Sequence, residues 1–215
     1  NVIPGESVCV VEGGKEIAKK VAAYAEKTGL PYAAEVTQEG VKITATGIPG
    51  HSAYPEGCRN AIGMMLLILR DLGVEGPIRT LADVYGGEHD GKSLGIACED
   101  SVSGPLTCNI GILHLVGDEI HCTFDNRVPI EADLEALRDT LIAHIPDFTI
   151  DSVKLTAPHH VPADSELVQS LLAAYTEESG LSGEPESTGG GTYAKVLKQL
   201  TLPTGMVTVI VQGMG

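Results

Sequence analysis

The sequence predicts an α+β fold in which two similar sets of strands and helices each form a split β-α-β layer of the ferredoxin-like type. Residues 7–72 follow the order strand, helix, strand, strand, helix, and residues 109–155 follow the order strand, strand, helix, strand. The two sets agree in element order only, because no repeat of residues joins them. The pattern therefore indicates an α/β sandwich built from two related halves.

The first set alternates short strand patterns with two helical patterns. We expect strands over residues 7–11, 33–37 and 41–46, and helices over residues 15–28 and 56–72. Gly29 is expected to end the first helix, because glycine adopts the left-handed conformation of a C-cap at little cost. Pro55 suits the first turn of the second helix, where the N–H that proline lacks has no partner.

The second set opens with a β-hairpin around the two-residue turn Gly117-Asp118. We expect strands over residues 109–116 and 119–128, a helix over 131–145 and a strand over 148–155. With this turn, His114 lies directly opposite His121. Facing imidazoles can bind Zn²⁺ or Ni²⁺, but two ligands make an incomplete site, and an ordinary exposed pair is the alternative.

The remaining segments are less regular. We expect a short helix over residues 78–84, a loop over 86–91, a strand or helical turn over 94–98, helices over 165–179 and 192–200, and a buried strand over 206–211. The run Pro158-His159-His160-Val161-Pro162 is typical of a boundary. Residues 1–157 and residues 158–215 are therefore expected to form two domains.

Composition limits the partners of this chain. A formal charge of −15 over 215 residues repels phosphate groups, so nucleic acid and anionic membranes are not expected as partners. Five cysteines at wide spacings, without a Cys-x-x-Cys, indicate neither a zinc finger nor a disulfide framework. Several of them lie in apolar runs, which fits buried thiols in a reducing compartment and predicts a cytoplasmic location.

Residues 47–63 carry the most informative motif, Gly-Ile-Pro-Gly-His-Ser-Ala-Tyr-Pro-Glu-Gly-Cys-Arg-Asn-Ala-Ile-Gly. His51 stands in a loop between a strand and an amphipathic helix, where it is either aimed outward at a ligand or merely a surface or capping residue. The string closely resembles the lid, or dimerisation, segment of the two-zinc peptidases that include aminoacylases, carnosinases and PepV-like dipeptidases. The resemblance implies that His51 binds the substrate carbonyl oxygen as it becomes an oxyanion.

A second string resembles the same family. Gly189, Gly190, Gly191 and Thr192 stand at an expected helix start, where a backbone without Cβ atoms can approach a ligand and free N–H groups favour an anion. A flexible loop is the alternative. In the family the matching string is a substrate-binding loop of the catalytic domain, which implies the same role here.

Arg127 and Asn1 complete the resemblance. Arg127 lies on the polar face of its strand, and a guanidinium suits a carboxylate through paired hydrogen bonds; an exposed arginine paired with Asp125 or Glu119 is the alternative. The resemblance implies that Arg127 binds the carboxylate at the substrate's C-terminus. Asn1 resembles an asparagine at the junction of catalytic domain and lid, which can also face the site.

The resemblance implies a fragment of a zinc-dependent dipeptidase or amidohydrolase that hydrolyses short peptides with a free carboxylate. Residues 1–157 would be the lid, and residues 158–215 an incomplete C-terminal portion of the catalytic domain. The intact enzyme would hold two zinc ions, but the sequence has no His-x-Asp, and neither metal ligands nor a catalytic base are expected in this chain alone. The alternative is a non-catalytic ferredoxin-like dimerisation or interaction module, with a second copy of the chain in a homodimer as its expected partner.

Overall fold

The computed structural model describes residues 1–189 and the backbone of residues 205–214. Within these ranges the helices are α1 (Lys15–Thr28), α2 (Ala61–Asp71), α3 (Pro77–Val84), α4 (Leu134–Ala143) and α5 (Glu166–Ser179). The strands are β1 (Val2–Ile3), β2 (Glu6–Val11), β3 (Tyr32–Val36), β4 (Val41–Thr46), β5 (Gly50–His51), β6 (Glu99–Asp100), β7 (Gly104–Pro105), β8 (Thr107–Val116), β9 (Glu119–Val128), β10 (Phe148–Thr156) and β11 (Gly205–Met214). This mixture of helices and antiparallel sheets confirms the predicted α+β class.

The first sheet has the strand order β2-β4-β3. Strand β4 is antiparallel to both neighbours, so β2 and β3 run parallel to each other. Helix α1 connects these two parallel strands, and Gly29 ends it in the left-handed conformation at φ 69°, as the sequence predicts. The arrangement is a split β-α-β unit, in which the third strand fills the gap between the two that the helix joins.

The second sheet repeats this arrangement in the order β10-β11-β9-β8. Strand β11 is antiparallel to both β9 and β10, which α4 connects, so the sheet contains a second split β-α-β unit. The strand predicted over residues 206–211 is therefore present, and it lies in the same sheet as residues 107–156. The full ferredoxin-like form of each half, and the division at residue 157, stay predictions.

Helix α2 joins the two hydrophobic cores. Its residues Ile62 and Leu66 pack with the second sheet and α4, whereas Met64, Met65 and Ile68 pack with the first sheet and α1. A helix that is apolar on most of its circumference is stable only when it is covered on more than one side. The sequence of α2 therefore requires a position between the two halves.

The predicted start of α2 and one later segment need correction. The helix begins at Ala61 rather than near residue 56, because the Asn60 side chain accepts hydrogen bonds from the N–H groups of Ile62 and Gly63 and so caps it there. Pro55 lies in a turn before the helix. Residues 94–98, expected as a strand or a helical turn, are not a strand: Leu94 and Gly95 lie in a turn in which the Gly95 N–H donates to the Lys92 carbonyl, and residues 96–98 belong to no regular element.

The other predicted elements of the described residues are present, although α4 begins at Leu134 rather than at residue 131, because Asp133 caps it there. Helix α3 covers the short helix expected over 78–84, the hairpin turns at Gly117-Asp118, and α5 ends at Gly180. The helix expected over 192–200 lies outside the described residues. All five cysteines are free thiols. None of the helices described here has the length and hydropathy needed to cross a membrane.

Candidate functional site

His51 lies on a short strand rather than in a loop, which corrects the prediction. It belongs to β5, whose backbone pairs with β1 so that His51 lies opposite Val2. The backbone N–H of Ala53 donates a hydrogen bond to His51 Nδ1 over 3.1 Å. Because Nδ1 accepts this bond, the neutral imidazole carries its proton on Nε2, which is thus available as a donor.

The surroundings of His51 favour its neutral form. Burial lowers the pKa of His51, the positive charge of Arg127 lowers it further, and Asp125 partly opposes both. The ring also lies beside Tyr54, with 5.8 Å between the ring centroids. At neutral pH the side chain is therefore an uncharged hydrogen-bond donor near the Arg127 cation.

Asp125 is the centre of a buried polar network. Its side chain lies on β9 with only 5% of its surface exposed. Oδ2 accepts hydrogen bonds from Ser52 Oγ (2.9 Å) and Arg127 Nη2 (3.1 Å), and the backbone nitrogen of Asn1 lies 3.1 Å away. Burial alone would raise the pKa of Asp125, but the Arg127 charge and the bond from Ser52 lower it. Asp125 is therefore an anion that joins three segments of the chain.

Arg127 is buried, a feature that neither of the two sequence-based interpretations included. It pairs with Asp125, as the structural alternative expected, but its exposed fraction is only 8%. Its Nη1 donates to the carbonyl oxygen of Gly189 over 3.0 Å, and Nε has no partner among the described residues. The guanidinium lines a cavity of about 110 Å³ together with Tyr54 and Thr107. A buried cation beside a cavity is suited to an anionic ligand.

Gly189 touches the histidine segment. A Cβ atom at Gly189 would lie 2.5 Å from the Cβ of Ala53, so only glycine fits this approach. The Tyr54 hydroxyl also forms a hydrogen bond with Thr188. The glycine string thus begins against the His51 segment and the Arg127 guanidinium. Gly190, Gly191 and Thr192, the other predicted members of this loop, lie outside the described residues.

The residues that hold the histidine segment in place were not among the predicted site residues. Ser52 is 1% exposed, and its carbonyl accepts from Thr107 Oγ1 over 2.8 Å while its N–H donates to the Asn1 carbonyl over 3.0 Å. Asp125 could have been predicted as a member of the site, because it alternates with Arg127 on one face of a strand. Ser52 and Thr107 could not, since their hydrogen-bonding partners come from distant parts of the sequence.

The structure brings together four of the predicted residues: His51, Arg127, Gly189 and Asn1. It does not bring together ligands for a metal in the same region. Among residues 1–189, no three His, Cys, Asp or Glu side chains form a group that could hold an ion. The described residues therefore do not fit a two-zinc site, which takes several such side chains.

The chain with these two split β-α-β units matches a known protein family. Residues 38–154 match the family model described as a peptidase dimerisation domain, and the chain belongs to that family. The match confirms the resemblance to peptidases that residues 47–63 indicate.

Similar proteins carry dipeptidase names. The chain is 30% identical over 205 residues to the putative dipeptidase YtjP of Bacillus subtilis, covering 92% of this chain and 44% of that protein. It is 26% identical over 211 residues to the Beta-Ala-Xaa dipeptidase of Lactobacillus delbrueckii subsp. lactis, covering 93% of this chain and 44% of that protein. The chain thus spans less than half the length of these relatives.

Proposed function

We propose that this chain supplies the lid of a dipeptidase or related amidohydrolase that cleaves short peptides with a free carboxylate. The observation that supports this most is the meeting of His51, Arg127 and Gly189 around the buried Asp125. A neutral donor and a cation that are linked through Asp125 suit two parts of such a substrate. These are the carbonyl oxygen, which becomes negative under attack, and the terminal carboxylate.

In this proposal His51 stabilises the oxyanion. Its Nδ1 is occupied by the Ala53 N–H, so Nε2–H is the donor that faces a ligand. A well-placed donor of this kind lowers the barrier by about 3 kcal/mol, because the hydrogen bond strengthens as negative charge develops. The low pKa keeps the imidazole neutral, with one fixed tautomer.

Arg127 binds the substrate carboxylate in the same proposal. Asp125 and the Gly189 carbonyl hold its Nη2 and Nη1 atoms in place, and Nε–H is a donor without a partner among the described residues. A guanidinium fixed in this way loses little conformational freedom when it binds a carboxylate. The resemblance gives the string Gly189, Gly190, Gly191 and Thr192 a substrate-binding role as well, together with Asn1.

The hydrolytic centre itself would belong to another part of the intact protein. The resemblance implies two zinc ions there, which activate water in such enzymes. No step assigned to His51 or Arg127 depends on them. We assign residues 1–157 to the lid and residues 158–215 to part of the catalytic domain, from which β11 returns to pair with β9 and β10 of the lid sheet. Helix α5 supports the latter, because it has no buried residue and leaves Leu171 and Tyr175 exposed for further chain to cover. The cytoplasmic location stays a prediction.

The second candidate function is a dimerisation module without catalysis. Strand β8 is an edge strand of the second sheet in the described residues, and it exposes Ile112, Leu115 and Val116, with Leu115 at 69%. An apolar edge strand is a surface on which a second chain can add. Light scattering on the purified chain distinguishes a dimer from a monomer. This candidate would be favoured if the chain is a dimer and if peptide hydrolysis by the intact protein does not depend on dimerisation.

Arg127→Gln in the intact protein tests the proposed carboxylate recognition. We expect KM for a dipeptide to rise about 10- to 100-fold, because the substitution removes a charge-assisted hydrogen bond to the substrate. KM for the corresponding dipeptide amide should change little, because the amide has no carboxylate to lose. Arg138→Gln is the matched control, because Arg138 pairs with Asp139 on the surface. An equal loss with both substrates would contradict carboxylate recognition by Arg127.

A further inference from the structure

The β8–β9 hairpin places two histidines side by side, far from the Arg127 cavity. His114 on β8 lies directly opposite His121 on β9. Directly opposed residues of antiparallel strands project from the same face, with Cβ atoms about 4.5–5.5 Å apart. At that separation one nitrogen from each ring can reach a common ion, because metal–imidazole bonds are about 2.0 Å long.

A β-bulge creates this pairing. The register of β8 against β9 shifts by one residue at Gly111. Without that extra residue, Leu113 rather than His114 would lie opposite His121, since a slip of one residue exchanges the two faces of a strand. The bulge thus sets both imidazoles on one face of the hairpin, with Leu113 and Cys122 on the other.

The surroundings of the pair favour a cation. His114 is exposed, and the side chain of His121 is 37% exposed. Glu119 Oε2 lies 3.5 Å from His121 Nε2 and adds negative charge beside the ring. Glu119 is not a third ligand, because residues 1–189 contain no group of three potential ligands. His121 and Arg127 are six residues apart on β9, roughly 20 Å, so this surface is separate from the candidate functional site.

We propose that His114 and His121 form a surface site for a divalent late transition-metal ion such as Ni²⁺, Cu²⁺ or Zn²⁺. Two imidazoles supply the protein ligands, and water completes the coordination. Imidazole suits these ions, whereas the hard ion Mg²⁺ requires oxygen ligands and is excluded. The site is independent of the two zinc ions that the family resemblance implies, and it does not depend on the proposed function.

Calorimetric titration of Ni²⁺ into the tag-free chain tests the site. We expect one ion per chain for the parent protein, and binding at least about tenfold weaker for both His114→Ala and His121→Ala, because each removes one of two ligands. His160→Ala is the matched control, since it removes an exposed imidazole next to His159 and should leave the affinity unchanged. Equal affinity in all variants, or no Ni²⁺ binding by the parent chain, would overturn the proposal.

Nuclear magnetic resonance of the parent chain gives a second test that needs no substitution. Paramagnetic Ni²⁺ below one equivalent should broaden the imidazole signals of His114 and His121 before those of the other histidines. Earlier broadening at His159 and His160 would assign the ion to that neighbouring pair and refute the hairpin site. Mg²⁺ at the same concentration should leave all imidazole signals unchanged.

Discussion

Asp125 determines how the other polar residues of the site are arranged. Its Oδ2 atom accepts hydrogen bonds from Ser52 and Arg127 at once, in a setting with little access to water. A buried carboxylate with several charge-assisted hydrogen bonds fixes the positions of its donors more strictly than a surface ion pair does. The position of His51, one residue before Ser52, is therefore coupled to the charge of Asp125.

The titration of His51 should respond in opposite directions to its two charged neighbours. We expect its pKa to lie below that of an ordinary histidine, to fall further in Asp125→Asn, and to rise in Arg127→Gln. The signs follow from charge, because Asp125 favours the imidazolium and Arg127 disfavours it. Imidazole chemical shifts measured against pH check this. The same pKa in the parent chain and both variants would show that His51 lies outside the electrostatic reach of the network.

At the scale of elements, Asn60 connects helix α2 to the second sheet. Its side-chain oxygen caps α2, and its amide nitrogen donates to Asn109 Oδ1 and to the Ile110 carbonyl, each over 2.8 Å. These bonds fix the start of the helix at Ala61. The residues before it, which include Tyr54, are therefore outside the helix and lie beside the site. The cap therefore sets both the start of a core helix and the geometry of the histidine segment.

Asn60→Ala should destabilise the chain more than the loss of a surface cap does. Removing a cap costs about 1 kcal/mol, and leaving buried partners without their hydrogen bonds adds about 1–3 kcal/mol. Asp133→Ala is the matched control, because Asp133 caps α4 with two similar bonds at an exposed position. Urea unfolding measures both. Equal losses in the two variants would show that the bonds to Asn109 and Ile110 contribute nothing to stability.

Local patterns were sufficient to predict most elements but not the boundary of α2. Apolar residues at helical spacing around Met64 predicted α2, and Gly29 predicted the end of α1. Both signals come from residues close together in sequence, and both predictions are confirmed. The predicted start near Pro55 failed because proline is compatible with a turn as well as with a helix, and Asn60 supplies the stronger cap. Local propensity cannot rank two such signals when tertiary hydrogen bonds decide between them.

The candidate site was predictable in its members but not in its connections. The motif around His51 and the strand pattern around Arg127 indicated which residues to examine, and the roles assigned to them remain proposals. The burial of Arg127 could not be predicted, because it depends on Gly189, which lies 62 positions away in sequence. Contacts between distant segments leave no periodic signal in a single sequence.

At the scale of the whole molecule, β11 links the end of the chain to the second sheet. It lies between β9 and β10 and supplies hydrogen-bonding partners to both. Without it, two strands joined by α4 would face each other across an open gap. The strand that carries Asp125 and Arg127 is therefore held on one side by residues 205–214.

Removal of residues 205–215 should expose this gap. We expect the amide protons of β9 and β10 to lose protection against hydrogen exchange, because both strands become edges with unpaired groups. The first sheet, in the order β2-β4-β3, serves as the internal control and should keep its protection. Unchanged protection in β9 and β10 would show that β11 does not hold them together in solution.

The steady-state kinetics of His51→Ala in the intact protein test most directly whether the lid donates a hydrogen bond to the developing oxyanion. We expect kcat for a dipeptide with a free carboxylate to fall about 100-fold or more, while KM changes far less, because the donor acts mainly in the transition state. An unchanged kcat would contradict a catalytic role for His51.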